Sequence, residues 1–372
     1  MRRLFLLYLA LLLTLAVCGC GKTERPWDVP PEIPGYSEPE KVPLTAASCF
    51  AIWRYENGDS LILTDDGTVC LIAEDPPEGI ENAVVVPKRP KTVYMAASAV
   101  MSFWDALDRL GDIRFSSLEA EDWHIDGARE AMEAGNMLFA GKYREPDYEL
   151  LLTGGCDLSV QSTMAEHVPK VKEKLAEIGI PVFVDRSSYE DDPLGRVEWI
   201  RVYAEIAGCP EKGEALFAAQ KAAFDAVGEA ARTGKTVAFF YVAASGNFVT
   251  RKSGDYVSKM IRLAGGENVF DFGGEDNALS SVTVGPEDFC LRAKEADIIV
   301  YNASIGGDVT SIAELVAKNE LLASFRAVKT GNVWRTDSQM YQDIMKTGEI
   351  LTDFYRVISE NGEAARYLEK LD

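Results

Sequence analysis

The chain has 372 residues, enough for two or more domains, and 47% of them are hydrophobic, enough for sizeable cores. Lysine and arginine number 38 against 59 aspartates and glutamates, a net charge of −21. That balance argues against general nucleic-acid or anionic-membrane binding and suits a solvated protein outside the cytoplasm.

Arg2 and Arg3 precede an apolar run from Leu4 to Val17, too short for a comfortable membrane span and of secretory-signal length. The stretch Val17-Cys18-Gly19-Cys20 resembles a bacterial lipobox, with small Gly19 before the cysteine to be lipidated. Cys20 is the expected lipid anchor, because Val17 is a poor residue just before a cut. Plain secretion with cleavage nearby is the alternative. Removing residues 1–19 leaves 36 basic side chains against 59 acidic ones, a mature charge of −23. Five further cysteines, Cys49, Cys70, Cys156, Cys209 and Cys290, are scattered without a CxxC pair. Cys49 and Cys70 could pair across a hairpin, but the odd count favours small buried thiols.

Residues 20–45 read as a tether, since Gly21 to Pro43 holds six of the 16 prolines. Residues 46–90 read as a small β meander. Asn57-Gly58 and Asp66-Gly67 lie between apolar runs, a hairpin signal, and Val84 to Val86 adds a strand.

Residues 91–209 alternate strand and helix. Strands are expected at Val93–Met95, Ile113–Phe115, Leu138–Ala140, Leu158–Val160 and Pro181–Val184. Helices lie between them, the first capped by Ser98 and a later one by Asp147. Such alternation predicts an α/β lobe with a mostly parallel sheet.

Residues 210–234 predict one long helix, with Pro210 in its first turn and Gly234 as its stop. Leu216, Phe217, Phe224 and Val227 recur at helical spacing. Residues 235–372 alternate again, with strands at Thr236–Val242, Ile298–Tyr301 and Asn332–Trp334 and a last helix over Met340–Ile358. The predicted fold is therefore α/β, two Rossmann-like lobes joined by one long helix behind a signal, a tether and a meander.

Two α/β lobes on one helix behind a lipobox resemble the helix-linked class of ABC-transporter substrate-binding lipoproteins. Short motifs carry the resemblance from Lys91 to Ile358. Tyr94-Met95-Ala96-Ala97-Ser98 is similar to the family's strand and small-residue turn at the cleft. Pro146-Asp147-Tyr148-Glu149-Leu150-Leu151, followed by Cys156-Asp157-Leu158, resembles its "PNxE–hydrophobic–KPDLV" stretch, with Gly155-Cys156 in place of Lys-Pro. Gly265-Gly266-Glu267-Asn268-Val269-Phe270 matches "GGENVF". Val284-Gly285-Pro286-Glu287-Asp288-Phe289, with Ala296-Asp297-Ile298-Ile299, resembles the second lobe's "S-x-E…ADvii" stretch.

The resemblance implies an extracytoplasmic binder, anchored to the bacterial membrane only through its N-terminal lipid. Such a binder delivers an iron–siderophore, haem or corrinoid to ABC permease subunits. It implies no resident cofactor, although the ligand itself carries iron or cobalt. By position, Glu149 and Glu287 match the glutamates that meet permease arginines, and early-helix carboxylates are stable and exposed. Cleft residues implied by strand-end position are Met95, Ser98, Trp123, His124, Tyr143, Ser162, Arg186 and Tyr189 in the first lobe. In the second they are Tyr241, Arg251, Tyr256, Trp334 and Tyr341. Aromatic walls with two arginines suit a large conjugated or catecholate ligand with negative charge. Only His124 and His167 exist in the chain, which disfavours a free metal ion as ligand. A binder for another small solute, a cell-surface enzyme and an interaction protein are the rival readings. The enzyme reading lacks G-x-S-x-G, H-E-x-x-H and a phosphate loop.

Overall fold

A computed structural model describes residues 25–77, 80, 83–228, 232–270, 281–359 and 366–372. The signal and Cys20 lie outside the described residues.

The first sheet has five strands in sequence order. These are β1 (Glu40–Lys41), β2 (Phe50–Arg54), β3 (Ser60–Thr64), β4 (Val69–Ile72) and β5 (Ala83–Val86), the last added in parallel. Asn57 shapes the first turn: its side chain accepts from the Asp59 N–H (3.0 Å) and donates to the Asp59 carboxylate (2.8 Å). The proline-rich segment is not a free tether over its described part. Ile33 is buried in a cluster with Tyr55, Leu61, Leu63 and Leu71, and Trp27 and Tyr36 pack on it. β1 pairs with β2.

The other face of the meander shares a core with the first lobe, where Phe50, Ile52, Ile62 and Cys70 join Trp199, Val202 and Tyr203. Three glutamates fasten this junction. Fully buried Glu198 accepts the N–H groups of Thr45, Ala46 and Ala47, each at 2.7 Å. Glu190 accepts those of Ser48 (2.7 Å) and Cys49 (2.9 Å) and the Trp199 indole N–H (2.9 Å). Glu205 takes the Ser60 hydroxyl (2.6 Å) and Arg54. Buried carboxylates are tolerated because their lone pairs are filled in this way. The five cysteines beyond residue 24 are free, and burial pushes the Cys49 and Cys70 thiols up to about 12.

The first lobe follows as β6 (Val93–Met95), α1 (Met101–Ala106), β7 (Ile113–Ser116), α2 (Asp126–Glu133), β8 (Leu138–Phe139), a short ribbon β9 (Gly141–Lys142) and β10 (Glu145–Pro146), α3 (Tyr148–Thr153), β11 (Leu158–Ser162), α4 (Pro169–Glu177), β12 (Val182–Asp185), α5 (Pro193–Glu198) and α6 (Ile200–Ile206). Its sheet is wholly parallel, in the order β12-β11-β6-β7-β8. Asp147 caps α3 by accepting the Leu150 N–H at 2.9 Å. Ser98 is not a cap; it begins a 3-10 turn, Ser98–Val100, that leads into α1.

The linking helix α7 spans Pro210–Val227, shorter than the predicted 210–234. It stops at Gly228, whose φ of 61° is a left-handed value that glycine adopts without strain. Eighteen residues give about 27 Å of helix. At one end Gly213 lets α7 lie against α6: a Cβ there would sit 2.3 Å from the Ala204 Cβ. At the other end Gln220 Oε1 accepts the Gly348 N–H at 3.0 Å.

The second lobe runs β13 (Thr236–Val242), β14 (Phe248–Arg251), α8 (Tyr256–Leu263), β15 (Glu267–Asn268), β16 (Ser281–Val284), α9 (Pro286–Ala293), β17 (Ile298–Tyr301), α10 (Ala303–Gly306), α11 (Ile312–Lys318), α12 (Arg326–Thr330), β18 (Val333–Thr336), α13 (Thr347–Ser359) and β19 (Leu368–Lys370). Its central strands β13, β17 and β18 are parallel, with antiparallel β14, β16 and β19 toward the edges. β17 is buried throughout, as the continuous run Ile-Ile-Val-Tyr requires of a strand covered on both faces. The predicted helix over Met340–Ile358 divides into 3-10 turns Ser338–Tyr341 and Ile344–Lys346, then α13. No helix among the described residues is long and apolar enough to cross a membrane.

Candidate functional site

Loops at the carboxyl ends of the two lobes' parallel strands come together where the lobes meet. The loop after β7 touches the loop after β18: Gln342 Oε1 accepts the His124 N–H at 2.8 Å, and its Nε2 donates to the Asp122 carbonyl at 2.8 Å. Ile344 and Met345 enter the first lobe's core. On another part of the rim the Arg196 guanidinium lies 4.0 Å over the Tyr256 ring, and Lys259 donates to the Asp191 carbonyl. In α/β folds this edge is where ligands bind.

One group of predicted residues converges on the second lobe's side. Arg251 Nη2 donates to the Tyr341 hydroxyl at 2.6 Å, and Asn302 Nδ2 donates to the same oxygen at 2.9 Å. Asp255 lies 3.7 Å from Arg251 and caps α8 through the Val257 N–H (2.8 Å). Burial pushes the Asp255 carboxyl up, opposed by the Arg251 guanidinium. Burial also raises the Tyr341 hydroxyl above its usual range, so it is neutral at pH 7 and keeps its own O–H as a donor. Asn302 Oδ1 is buried and finds no hydrogen-bond partner among the described residues. Tyr241 is half-buried near the turn Ala303–Gly306, its Cβ 2.7 Å from where a Cβ on Gly306 would stand.

Arg186, in the first lobe, is placed differently from the expectation. It is 7% exposed and surrounded by acids: Asp65 at 2.5 Å, Glu166 at 2.7 Å and Asp66 at 3.6 Å. Its guanidinium covers the Tyr189 ring at 4.6 Å. This arginine therefore ties the meander's β3–β4 turn to the cleft loops instead of standing free for a ligand. Tyr189 remains 39% exposed, and Ser98 and Ser162 are half-buried at strand ends. Tyr143 stacks with Arg144 on the β9–β10 turn.

Three expected wall residues are core residues. Trp334 is 2% exposed, with its indole N–H on Asn332 Oδ1 at 3.0 Å. Trp123 is 1% exposed and donates to Ser116 Oγ at 3.0 Å. Met95 is fully buried. Each lies at or near the end of a strand, but its side chain points into the lobe. Tyr256, 8% exposed, serves the Arg196 stack between the lobes. Asn302, Gln342 and Arg196 escaped the sequence reading, because single polar residues in loops and helices carry no periodic or motif signal. Among the described residues no group of three or more His, Cys, Asp or Glu is placed to hold a metal ion.

Glu149 and Glu287 are both exposed, in the first turns of α3 and α9. Each helix runs back from the carboxyl edge of its sheet to the next parallel strand, β11 or β17.

Residues 122–340 match the periplasmic binding protein family, and the chain belongs to it. It is 24% identical over 243 residues to an uncharacterized lipoprotein of Methanocaldococcus jannaschii, covering 63% of this chain and 56% of that one. The chain spans about half the length of the curated relatives it matches. A petrobactin-binding protein from Bacillus subtilis superposes with a TM-score of 0.59 at 13% identity, covering 87% of this chain and 99% of that one. A periplasmic haem-binding protein from Vibrio cholerae gives 0.58 at 17% identity, covering 71% and 98%. At these identities the likeness is one of fold: two α/β lobes on one long helix. The family is one of binding proteins, which removes the cell-surface enzyme from the rival readings.

Proposed function

We propose that this chain is the extracytoplasmic, lipid-anchored binding component of an ABC importer. It captures an iron–siderophore, haem or corrinoid between its lobes and hands it to a membrane permease. The observation that carries the reading is the Arg251–Tyr341–Asn302 group at the cleft's second-lobe wall. It offers a cation and a neutral aromatic hydroxyl at the edge where such folds bind ligands, with buried Asn302 donating to that hydroxyl from behind. A negatively charged, aromatic-rich metal complex answers both. Two histidines in the whole chain give poor donors for a bare metal ion, so a metal already wrapped in its chelator fits better. Cognate proteins of the same fold carry petrobactin and haem in their names, in keeping with this ligand class. Glu149 and Glu287 are assigned to permease docking and Cys20 to the lipid anchor.

A thermal-shift screen of haem, cobalamin and several ferric siderophores tests the reading. A ligand at a hundred times its Kd stabilises by about 2.7 kcal/mol. A rise in melting temperature with one of these, without its turnover, is the expected result. No shift with any of them, at concentrations up to solubility, would overturn the ligand class.

A further inference from the structure

The loop after β12 is held from two directions. On one side it is tied to the meander. Arg186 binds both carboxylate oxygens of Asp65, through Nε at 2.5 Å and Nη2 at 3.3 Å, and its Nη1 donates to Glu166 at 2.7 Å. Glu190 accepts the Ser48 N–H (2.7 Å) and hydroxyl (3.0 Å) and the Cys49 N–H (2.9 Å). On the other side the loop meets the second lobe. The Asp191 carbonyl accepts from Lys259 of α8, and Arg196 lies over Tyr256 of the same helix. Arg186, Ser187 and Glu190 are buried, yet Tyr189 among them is 39% exposed. The Arg186 guanidinium covers one face of its ring, so the exposure falls on the rest.

The β3–β4 turn is built to make this reach. Asp66 shapes the turn itself, accepting the Thr64 hydroxyl (2.6 Å) and the Thr68 N–H (3.1 Å), and Gly67 completes it at a φ of 85°. Asp65 is anchored by its own N–H to the Cys49 carbonyl at 2.9 Å, while its carboxylate reaches across to Arg186. A bidentate carboxylate–guanidinium pair fixes direction as well as distance. Exposed ion pairs contribute little, but Arg186 is only 7% exposed, so water competes poorly here.

We propose that Asp65 is a positioning residue for the binding cleft: through Arg186 it sets the Tyr189 ring at the first lobe's rim, where that ring packs on a flat conjugated or catecholate part of the ligand. The meander thereby belongs to the binding machinery, although it lies outside the stretch that matches the family. This proposal rests on the ligand reading above and adds that the meander helps to select the ligand. Without the Asp65 carboxylate the guanidinium is left with Glu166 and Asp66 and has no fixed place over the ring. The ring then loses its backing, and ligand binding has to restore the order.

The test joins local hydrogen exchange to a mutant cycle on the purified protein. Exchange is followed by mass spectrometry in the parent, Asp65→Ala, Asp65→Asn and Asp65→Glu. Expected is roughly tenfold faster exchange over residues 186–192 in the first two variants, with β2 and β3 unchanged, and near-parental exchange in Asp65→Glu. Faster exchange throughout the meander, or no change over 186–192, would overturn the proposal. Asp65→Asn keeps the side chain's size, so it decides the matter if the alanine variant does not fold. Binding is read by fluorescence quenching with haemin, cyanocobalamin and a ferric tris-catechol complex as probes. For a probe that binds the parent, Tyr189→Ala should raise Kd about tenfold, Asp65→Ala about fivefold, and the double variant no further than Tyr189→Ala alone. Losses that multiply in the double variant would show that Asp65 acts elsewhere and end the proposal, as would a parental Kd in Tyr189→Ala. A parent that binds none of the three probes would overturn the ligand class proposed above, and the exchange over 186–192 would then decide by itself whether Asp65 places the Tyr189 loop.

Discussion

Asp157 and Asp297 make one clasp twice. Asp157 accepts the Lys91 N–H (2.6 Å) and the Thr92 N–H (3.1 Å), while its own N–H donates to the Thr92 carbonyl (3.2 Å). Asp297 accepts the Thr236 N–H and hydroxyl, each at 2.9 Å, and its N–H donates to the Thr236 carbonyl (3.1 Å). Each aspartate stands just before the strand that lies parallel to its lobe's first strand, so it fixes where that pair begins. The partners are 65 residues apart in one lobe and 61 in the other. Two lobes that share little sequence thus share a residue-level device.

Asp157→Ala and Asp297→Ala should each lower unfolding free energy by about 1–2 kcal/mol, since hydrogen bonds to a charged group are lost at half-buried sites. The sites lie in separate lobes, so the double variant should add to within about 0.5 kcal/mol. Urea denaturation checks both points. Strong non-additivity would mean that the two lobes' strand starts are coupled.

Gly213→Ala should destabilise, against its propensity. In an exposed helix interior the change gains about 1 kcal/mol. Here the new methyl would meet Ala204 Cβ at 2.3 Å and push α7 off α6. Overpacking of this kind costs about 1–3 kcal/mol. A higher melting temperature in this variant would show that the strut is not held against the first lobe as described.

Much of this was legible in the sequence. The parallel strands of both lobes announce themselves as short apolar runs, and Pro210 marks the start of the strut. Its end was misread because alanine-rich residues continue the helical pattern past Gly228, where only the glycine's φ reveals the stop. The antiparallel strands Phe248–Arg251 and Leu368–Lys370 were missed, being short. At the cleft, strand-end position found Arg251 and Tyr341 but not the direction of a side chain. Trp334 and Trp123 therefore looked like walls and proved to be core. Arg186 looked free because its partners Asp65 and Asp66 come from a meander more than a hundred residues earlier.

Trp334 and Arg251 should now part company on substitution. Trp334→Ala removes a large side chain packed in the second lobe's core, so it should cost about 3–5 kcal/mol of stability. Arg251→Ala should weaken ligand binding about tenfold or more with a smaller stability loss, about 1–2 kcal/mol. The checks are the Kd for the ligand found by the thermal screen and denaturation of the apoprotein. Unchanged affinity in Arg251→Ala would move the anion-recognising wall elsewhere.

Asp343, in the segment that enters the first lobe, predicts a pH effect. Burial raises its carboxyl from 3.8 to about 6, with Lys346 and Arg366 opposing the rise and Asp105 and Glu349 adding to it. A folded-state pKa above the unfolded one means that the folded protein binds the extra proton. The stability tied to that proton is fully present below about pH 4 and is lost as pH rises through about 6. Asp343→Asn should therefore be more stable than the parent at pH 7.5, by about 1–3 kcal/mol, and nearly equal to it at pH 4. Melting curves across that range decide it, and a gain that does not fade toward pH 4 would have another cause.

Charge reversal at Glu149 and Glu287 tests docking itself. Both carboxylates are exposed and sit at equivalent starts of α3 and α9, so the fold should hardly notice their loss. An exposed change of this kind stays within about ±0.5 kcal/mol. At an interface the same change brings like charges together, which costs several kcal/mol. Glu149→Lys should thus reduce cellular uptake of the labelled ligand by tenfold or more, while the purified protein keeps its Kd. On the proposed docking each lobe meets its own half of the permease, so Glu287→Lys should do the same, and the double variant should be at least as damaging. Raising ionic strength should weaken docking of the parent more than that of either variant, since one attractive pair is already gone. Uptake at parental rate with both residues reversed would remove them from the docking face. A weakened Kd in the purified variants would instead place them at the ligand.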